Sequence, residues 1–362
     1  MRLTILNVAY PFAPVGPDAV GGAEQILTQL DEALTQAGHR SVVLACEGSS
    51  AKGALVSVPR PTGVFDDTLI GKTHDQYRRS IQNCIEEWPL DLIHLHGVDF
   101  YDYLLPDAVP VLVTLHLPPH WYPSKIFRLE RPQTYLHCVS ASQRRACPAC
   151  PKLLPEIENG VLVSNCDRLQ AKRNLVVSIG RICPEKGFHI ALNAAKRANI
   201  PMMLAGQVFP YESHEKYFQS EILPRLGSTR QFIGPVGPNE KQNLLGSARC
   251  VLVPSLVPET SSLVAMEALA SGTPVVAFPA GALADIVEHG KTGFLVHDEH
   301  EMSQAIEASR ELNSEVCRQA ARERFAQGAM IGKYLALYKR LAKRLETARP
   351  GSGPKEVCPR AG

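Results

Sequence analysis

The sequence predicts an α/β protein made of two open domains, in each of which parallel strands alternate with helices. The chain has 362 residues, and at about 100–200 residues per domain this length suits two domains. Short apolar runs alternate with amphipathic stretches, stop near residue 148, and start again near residue 174. Strands that are apolar throughout are usually covered on both faces, which favours parallel sheets between helices.

The first run of elements begins at the N-terminus. A strand is predicted over residues 3–9, and a helix over residues 23–37, where leucine and isoleucine recur at helical spacing until Gly38 ends the pattern. Three further strands are predicted over residues 41–45, 91–95 and 109–115. Alternation of this kind predicts right-handed βαβ units.

The second run repeats the pattern after a segment rich in Pro, Asn and Gly, in which a hinge is predicted at residues 165–173. Strands are predicted over residues 174–178, 202–205, 231–233, 250–254 and 274–278. Helices are predicted over residues 188–197, 240–247 and 263–271, with a last amphipathic helix over 330–345. Domain boundaries follow at 1–168, 169–328 and 329–346, and the aperiodic tail at 347–362 is predicted to be disordered.

Composition excludes several classes of protein. Lys+Arg 38 against Asp+Glu 36 gives a net charge of +2, which argues against a nucleic-acid partner bound through a strongly basic face. No apolar run reaches the roughly 18–20 residues of a membrane span, and the N-terminus is typical of a strand and not of a signal peptide. Ten scattered cysteines argue against a disulfide framework. A cytoplasmic, reduced protein is therefore expected.

The segment over residues 258–276 holds the most informative chemistry. Glu259 follows a predicted strand, Ser261 and Ser262 are good helix-capping residues, and Glu267 lies inside the helix that follows. Free N–H groups at that helix start would form an electropositive socket for phosphate. Carboxylates can accept paired hydrogen bonds from a diol. This pattern fits a sugar nucleotide, and the alternative is a capped helix with two surface glutamates.

A second segment, over residues 178–192, carries two cations. A predicted strand ends at Gly180, and Arg181 and Lys186 stand on the loop before the next helix. Such cations at the carboxyl end of a strand suit a pyrophosphate. The alternative is a solvated basic loop.

Metal-binding signals are weak. No Asp-x-Asp occurs in the chain, so no metal is expected at the phosphates. Cys147 and Cys150 form a lone C-x-x-C that lacks the second pair of a zinc ribbon. The His- and Glu-rich residues 297–301 are better explained as the start of a helix capped by Asp298.

Taken together, these motifs resemble those of the GT-B glycosyltransferases of family 4, a retaining group. Glu259 and Glu267 match its E-x7-E motif, and residues 180–187, GRICPEKG, match its GRxxxEKG motif. Further ordered matches are GGAE at 21–24, LIHLHG at 92–97, TLH at 114–116, NGV at 159–161 and GKTGFLV at 290–296. The resemblance covers essentially residues 1–345 and implies two Rossmann-like domains facing a cleft, with residues 1–168 on the acceptor side and 169–328 on the donor side.

The resemblance also implies roles for individual residues. Arg181 and Lys186 would hold the donor diphosphate, Glu267 the ribose, and Glu259 the transferred sugar. His116 would contact that sugar from the first domain, and the helix at 329–346 would pack back on that domain. The remaining donor contacts are expected from Gly21, Gly22, Val236, Ser261, Ser262 and Leu263. The expected catalytic set is therefore His116, Arg181, Lys186 and Glu259.

Substrate identity stays open at this stage. The donor is expected to be a hexose nucleotide, UDP-glucose first and GDP-mannose second, with no cofactor and no metal. Ser261 and Ser262 stand where the family has an aromatic residue and a glycine, which leaves the sugar unspecified. The acceptor is a small molecule, a glycan or a lipid, expected near His96, His120 and Trp121.

Partners and alternative functions also stay open. Arg128, Arg131, Arg144 and Arg145 form either a solvated face or a weak contact with the inner face of a membrane, and the oligomeric state is not predicted. Alternatives are a sugar-nucleotide epimerase or a phosphorylase of the same fold, although no motif for a pyridoxal phosphate lysine is evident. A non-catalytic sugar-nucleotide-binding protein is a third. A dinucleotide dehydrogenase is disfavoured because no G-x-G-x-x-G follows an early strand.

Overall fold

Two six-stranded sheets, one from each half of the chain, organise the protein. The computed structural model describes residues 2–63, 65–106, 109–163 and 171–348. Most of the predicted hinge at 165–173, and residues 349–362 of the tail predicted at 347–362, therefore lie outside the described residues. Residues 347 and 348 were predicted to be disordered, but they form the end of the last helix.

The first half forms a parallel sheet flanked by helices. Its strands are β1 (Thr4–Val8), β2 (Arg40–Cys46), β3 (Ala54–Val58), β4 (Leu92–Leu95), β5 (Val111–Leu115) and β6 (Thr134–Cys138). Its helices are α1 (Gly22–Gln36), α2 (Asp67–Glu87) and α3 (Ala141–Ala146). All strand pairs are parallel, in the order β3-β2-β1-β4-β5-β6.

The second half repeats this topology. Its strands are β7 (Val176–Ile179), β8 (Met202–Ala205), β9 (Arg230–Gly234), β10 (Cys250–Val253), β11 (Val275–Ala277) and β12 (Gly293–Leu295). Its helices are α4 (Phe188–Arg197), α5 (Glu212–Tyr217), α6 (Pro238–Ser247), α7 (Leu263–Ala270), α8 (Leu283–Ile286), α9 (Glu299–Ala308) and α10 (Ser314–Arg324). The parallel order is β12-β11-β10-β7-β8-β9, so the predicted fold class, two doubly wound sheets, is confirmed.

Each sheet reverses its strand order at one place, between β1 and β4 in the first and between β7 and β10 in the second. Ligands of open α/β sheets bind in the crevice beyond the carboxyl ends of the strands at such a switch point. The loops after β7 and β10 are the ones that carry Arg181, Lys186 and Glu259.

The last helix, α11 (Gln327–Ala348), begins and ends a few residues beyond the predicted 330–345. Its apolar face packs on the first sheet, although the helix follows the second half in sequence. Met330, Tyr334 and Leu341 share one buried cluster with Leu3 and Ile5 of the first half. The C-terminal helix thus holds the two halves together.

The elements that the sequence reading missed are polar or short. Strand β3 is five residues long and lies at the edge of its sheet, where exposed residues alternate with half-buried ones before the buried Val58. Helix α2 buries only a narrow stripe, although Asp66 caps it by accepting a hydrogen bond from the Leu69 N–H at 2.8 Å. The predicted cap of α9 is confirmed, since Asp298 accepts from the Glu301 N–H at 2.8 Å.

In the part of the chain that the structure describes, we find no helix whose length and apolar character would suffice to cross a membrane.

Candidate functional site

The carboxyl edges of the two sheets meet, and direct contacts join them. The Thr260 hydroxyl, after β10, donates a hydrogen bond to the backbone oxygen of His116, after β5, at 2.8 Å. A Cβ built on Gly22 at the start of α1 would lie 3.5 Å from a methyl group of Leu263. The predicted site residues of the first half, Gly22 and His116, therefore lie beside those of the second.

The loop after β7 places the two predicted phosphate ligands. Its backbone is fixed by the Leu256 N–H, which donates to the Glu185 oxygen at 2.8 Å. Gly187 has a left-handed φ of 62°, and a Cβ there would overlap the backbone oxygen of Pro254. Only glycine lets the two loops approach this closely, which explains the glycine that ends the GRICPEKG segment.

The structure brings Lys186 and Glu259 into direct contact. Lys186 Nζ lies 2.5 Å from Glu259 Oε1, and the Ser255 hydroxyl donates to the same oxygen. The Glu259 side chain is only 11% exposed, so the pair is poorly screened by solvent. Ser255 was not predicted as a site residue.

The backbone of Glu259 is fixed as tightly as its side chain. The Ala282 N–H donates to the Glu259 oxygen at 2.8 Å, and the Glu259 N–H donates to the Ala280 oxygen at 3.2 Å. Between them Gly281 adopts a φ of 62°, and a Cβ there would overlap the Glu259 backbone. The loop before α8 therefore sets the position of Glu259.

Glu267 has a second lysine as its partner, which the sequence reading missed. Lys241 Nζ lies 2.6 Å from Glu267 Oε1, and both side chains are about one-fifth exposed. Lys241 stands in the first turn of α6, just after the half-buried Val236. The sequence does contain one signal for this partner. Lys241 is a cation in the first helical turn after the loop that was expected to border the base.

The start of α7 presents backbone donors to the cleft. Ser262 occupies the N-cap position but its side chain makes no capping hydrogen bond. The Ser261 hydroxyl is buried and has no hydrogen-bond partner within the described ranges. The N–H groups of the first turn are therefore not capped by a side chain, which is the arrangement that binds anions at helix starts.

Across the cleft, Glu24 of the GGAE segment faces Arg181. Glu24 is 8% exposed, and its burial raises the pKa of its carboxyl, while Arg181 acts in the opposite direction. A Cβ on Gly21 would overlap the Glu24 carboxylate, so Gly21 provides room for that side chain. The sequence places Glu24 in the GGAE motif but predicts no role for its side chain.

His116 is buried at the edge of the cleft and touches another histidine. His96 Nδ1 lies 3.0 Å from His116 Nε2, and the two residues are 2% and 9% exposed. Burial lowers the pKa of His116 to about 3 and holds that of His96 well below its usual range. Both rings are therefore neutral at physiological pH.

The residues predicted for the acceptor differ in exposure. His120 and Trp121 lie exposed on a short turn after β5, with Trp121 46% exposed, whereas His96 is buried. Of the arginines that suggested a basic face, Arg144 pairs with Glu156 at 3.2 Å and Arg145 with Asp285 at 2.9 Å. The Arg145–Asp285 pair joins the two halves.

One group of side chains within the described ranges could hold a metal ion. The ligand atoms of Cys183, Glu185 and His214 lie within 4.8 Å of one another, next to the loop that carries Arg181. The C-x-x-C cysteines, Cys147 and Cys150, are not part of such a group.

Comparisons with known proteins agree with this architecture. The family model described as Glycosyltransferase Family 4 matches residues 20–152, and the model described as Glycosyl transferases group 1 matches residues 166–329. A phosphatidyl-myo-inositol mannosyltransferase of Mycolicibacterium smegmatis is 26% identical over 318 residues, 78% of this chain and 79% of its own length.

A lipopolysaccharide 1,2-N-acetylglucosaminetransferase of Salmonella typhimurium is 33% identical over 124 residues, so that the match spans about a third of either protein (32% of each). The crystal structure of HepE from Anabaena in complex with UDP-glucose superimposes with a TM-score of 0.69 at 19% identity. That superposition covers 96% of this chain and 100% of that one.

The two sheets and the cleft between them form a fold of the GT-B type. The two family models, both of glycosyltransferases, match both halves of the chain, and the chain belongs to glycosyltransferase family 4. The resemblance inferred from the motifs is therefore confirmed. The matches do not favour the epimerase, phosphorylase or non-catalytic alternatives.

Proposed function

We propose that the protein transfers a hexose from a nucleotide sugar to a hydroxyl acceptor, with retention of the anomeric configuration and without a metal ion. The observation that carries this proposal is the pairing of both E-x7-E glutamates with lysines around the uncapped start of α7. Lys186 meets Glu259 at 2.5 Å and Lys241 meets Glu267 at 2.6 Å. Cations for a diphosphate and carboxylates for hydroxyl groups thus stand side by side.

The diphosphate leaving group is the part of the reaction that most needs stabilisation. As the bond between the sugar C1 and the phosphate breaks, negative charge develops on the diphosphate. Arg181, Lys186 and the N–H groups at the start of α7 would stabilise that charge, and removing one preorganised donor of this kind typically costs about 10²–10³ in rate. The leaving phosphate itself would take the proton from the acceptor hydroxyl.

The two glutamates have separate roles in this proposal. Glu267 accepts hydrogen bonds from the ribose hydroxyls, and its bond from Lys241 holds the carboxylate in place. Glu259 accepts from hydroxyls of the transferred sugar, and its bonds from Lys186 and Ser255 hold the carboxylate in place. Val236, next to α6, borders the base.

Donor and acceptor are proposed by analogy with the relatives. UDP-glucose is the first donor to test, since HepE was solved with it, and GDP-mannose is the second, since the Mycolicibacterium relative is a mannosyltransferase. The exposed His120 and Trp121 on the first half offer an aromatic and polar surface for the acceptor. That relative's name makes an inositol phospholipid one acceptor to include beside glycans and small polyols.

The test is release of nucleoside diphosphate from UDP-glucose and GDP-mannose by the wild type and by Lys186→Ala and Glu267→Ala. Reactions run alone and with phosphatidylinositol vesicles, oligosaccharides and inositol. We expect turnover of one donor, and a loss of about 10²–10³ in Lys186→Ala. Turnover that persists in chelator supports metal independence, and turnover that vanishes and returns with a divalent ion refutes it.

Two matched controls lie on the same half of the chain. Lys196 and Glu311 are exposed and lie outside the proposed site, so Lys196→Ala and Glu311→Ala should keep wild-type rates. Rates near wild type in both site variants, or no turnover of either donor, would contradict the proposal. Nuclear magnetic resonance of the product decides whether the anomeric configuration is retained.

A further inference from the structure

A chain of buried hydrogen bonds crosses the carboxyl end of the first sheet. Tyr338 of α11 meets His94 Nδ1 at 2.8 Å, His94 Nε2 meets the Thr114 hydroxyl at 2.6 Å, and Thr114 meets His137 Nε2 at 2.7 Å. At its far end His137 Nδ1 lies 3.1 Å from the Cys138 backbone oxygen. All three side chains on the strands are 0% exposed.

The direction of every hydrogen bond in this chain follows from its far end. A carbonyl oxygen only accepts, so His137 carries its hydrogen on Nδ1 and accepts at Nε2. Thr114 must then donate to His137, which leaves its oxygen to accept from His94 Nε2–H. His94 consequently accepts at Nδ1, and Tyr338 is the donor.

His94 therefore has no ring nitrogen left for the histidine beside it. The rings of His94 and His96 lie 4.0 Å apart, centre to centre, and they pack without a hydrogen bond. His96 Nδ1 has His116 Nε2 as its partner at 3.0 Å, and His96 Nε2 is buried without a partner among the described residues.

The unpartnered Nε2 of His96 determines which of the two histidines donates the hydrogen bond between His96 Nδ1 and His116 Nε2. If His116 donates, His96 must carry its own hydrogen on Nε2, which buries an N–H donor with nothing to accept it. If His96 donates from Nδ1, its Nε2 is a bare acceptor. Orphaned buried N–H groups are the rarer and costlier of the two defects, so the second arrangement is favoured.

We propose that His96 is a positioning residue, which fixes His116 in the tautomer that carries its hydrogen on Nδ1. This inference rests on the proposed function for its consequence: Nδ1 is the ring nitrogen of His116 left for the donor sugar, and it can only donate. His116 then donates a hydrogen bond to a sugar oxygen and cannot serve as the general base. Its backbone is held in place independently by Thr260.

The direct test is the ¹⁵N chemical shift of the His116 ring nitrogens in labelled wild-type protein, assigned by comparison with His116→Gln. The expected result is a protonated Nδ1 and an unprotonated Nε2. A protonated Nε2 would overturn the proposal. This measurement needs no turnover, so it remains decisive even if no nucleotide sugar proves to be a substrate.

Variants of His96 provide the second readout. His96→Asn keeps an N–H donor near the position of Nδ1 and should retain both the tautomer and the transfer rate. His96→Leu removes the donor, so His116 is free to change tautomer and the transfer rate should fall by about tenfold. Equal rates in the two variants would contradict the proposal.

Tyr338→Phe is the matched control, because it disrupts the buried hydrogen-bond network at a place other than His96. It removes the hydroxyl that donates to His94 and leaves the His96–His116 contact intact. It should lower the midpoint of thermal unfolding while the His116 shifts and the transfer rate stay as in the wild type. A tautomer change in Tyr338→Phe equal to that in His96→Leu would show that packing, and not His96, sets the tautomer.

Discussion

Ser261 carries a polar group that the described residues leave unsatisfied, directly at the start of α7. Its hydroxyl is buried without a partner, and an unpaired buried polar group destabilises a fold by about 1–3 kcal/mol. Such a group is retained at a cost in stability, which makes functional sense where a ligand supplies the missing partner. The sequence predicts Ser261 as a helix-capping residue and a donor contact, but it does not reveal that the hydroxyl is buried without a partner.

Replacing Ser261 by alanine should therefore affect stability and binding in opposite directions. We expect Ser261→Ala to raise the free energy of unfolding by about 1 kcal/mol, measured in urea, and to raise the KM for the nucleotide sugar. Ser247→Ala is the control, because Ser247 lies at the far end of α6 outside the site. A less stable Ser261→Ala with an unchanged KM would contradict this role.

The loop before α8 shows how an element far along the chain sets a site residue. Gly281 and Gly290 have similar left-handed φ angles, 62° and 77°. A Cβ at Gly281 would overlap the Glu259 backbone, whereas nothing lies within 4 Å of a Cβ at Gly290. Comparing substitutions at these two glycines therefore distinguishes the effect of backbone strain from the effect of displacing Glu259.

Alanine substitutions at these two positions measure the two effects separately. Gly290→Ala should cost about 1 kcal/mol through left-handed strain alone and leave the transfer rate near wild type. Gly281→Ala adds the overlap, so it should cost more in urea unfolding and lower the rate sharply. Similar losses of rate in both variants would show that the loop does not position Glu259.

At the scale of whole elements, some strands and helices can be predicted from the sequence and others cannot, and the same is true of the site residues. Strand β10 is visible because its residues are apolar throughout, and β1 is visible because three of its five residues are apolar and it lies in the longer apolar run over residues 3–9. Helix α2 is not visible because it is polar over most of its length, and edge strand β3 is not visible because it is only five residues long and is half exposed in the fold. Among site residues, those inside motifs were predicted, whereas Lys241 and Ser255 were missed because their roles depend on contacts 26 and 4 residues away.

Four buried and neutral histidines lie at the carboxyl end of the first sheet. Burial lowers the pKa of His116 to about 3 and that of His137 to about 4, and it holds those of His94 and His96 well below their usual range. An unfolded chain binds protons at these histidines near pH 6.5, where the folded chain does not. Unfolding is therefore favoured as the pH falls below that value.

The free energy of unfolding should accordingly have its largest value above pH 6.5 and decrease as the pH drops towards 4. Each of these histidines can contribute up to about 1.4 kcal/mol per pH unit. His74 opposes them: burial lowers its pKa, but its hydrogen bond with Asp99 outweighs this and the pKa is raised. Glu24, whose pKa is also raised, opposes them as well, whereas the lowered pKa values of His39, His189 and His214 act in the same direction as the four buried histidines. The net loss should be several kcal/mol.

Urea unfolding at pH 7.5, 6.5 and 5.5 measures this dependence. His137→Gln should reduce the slope by close to one proton, whereas His120→Gln, at an exposed position, should leave it unchanged. A stability that is constant between pH 7.5 and 5.5 would mean that the histidines are not held neutral in the folded state.

The account as a whole depends on the cleft between the two sheets binding a donor diphosphate, and calorimetric titration with UDP and GDP tests this most directly. We predict that the wild type and Lys196→Ala bind one of the two nucleotides equally well. Lys186→Ala should bind it at least about tenfold more weakly, the value of one charged hydrogen bond. Equal affinity in Lys186→Ala, or binding of neither nucleotide by the wild type, would contradict the account.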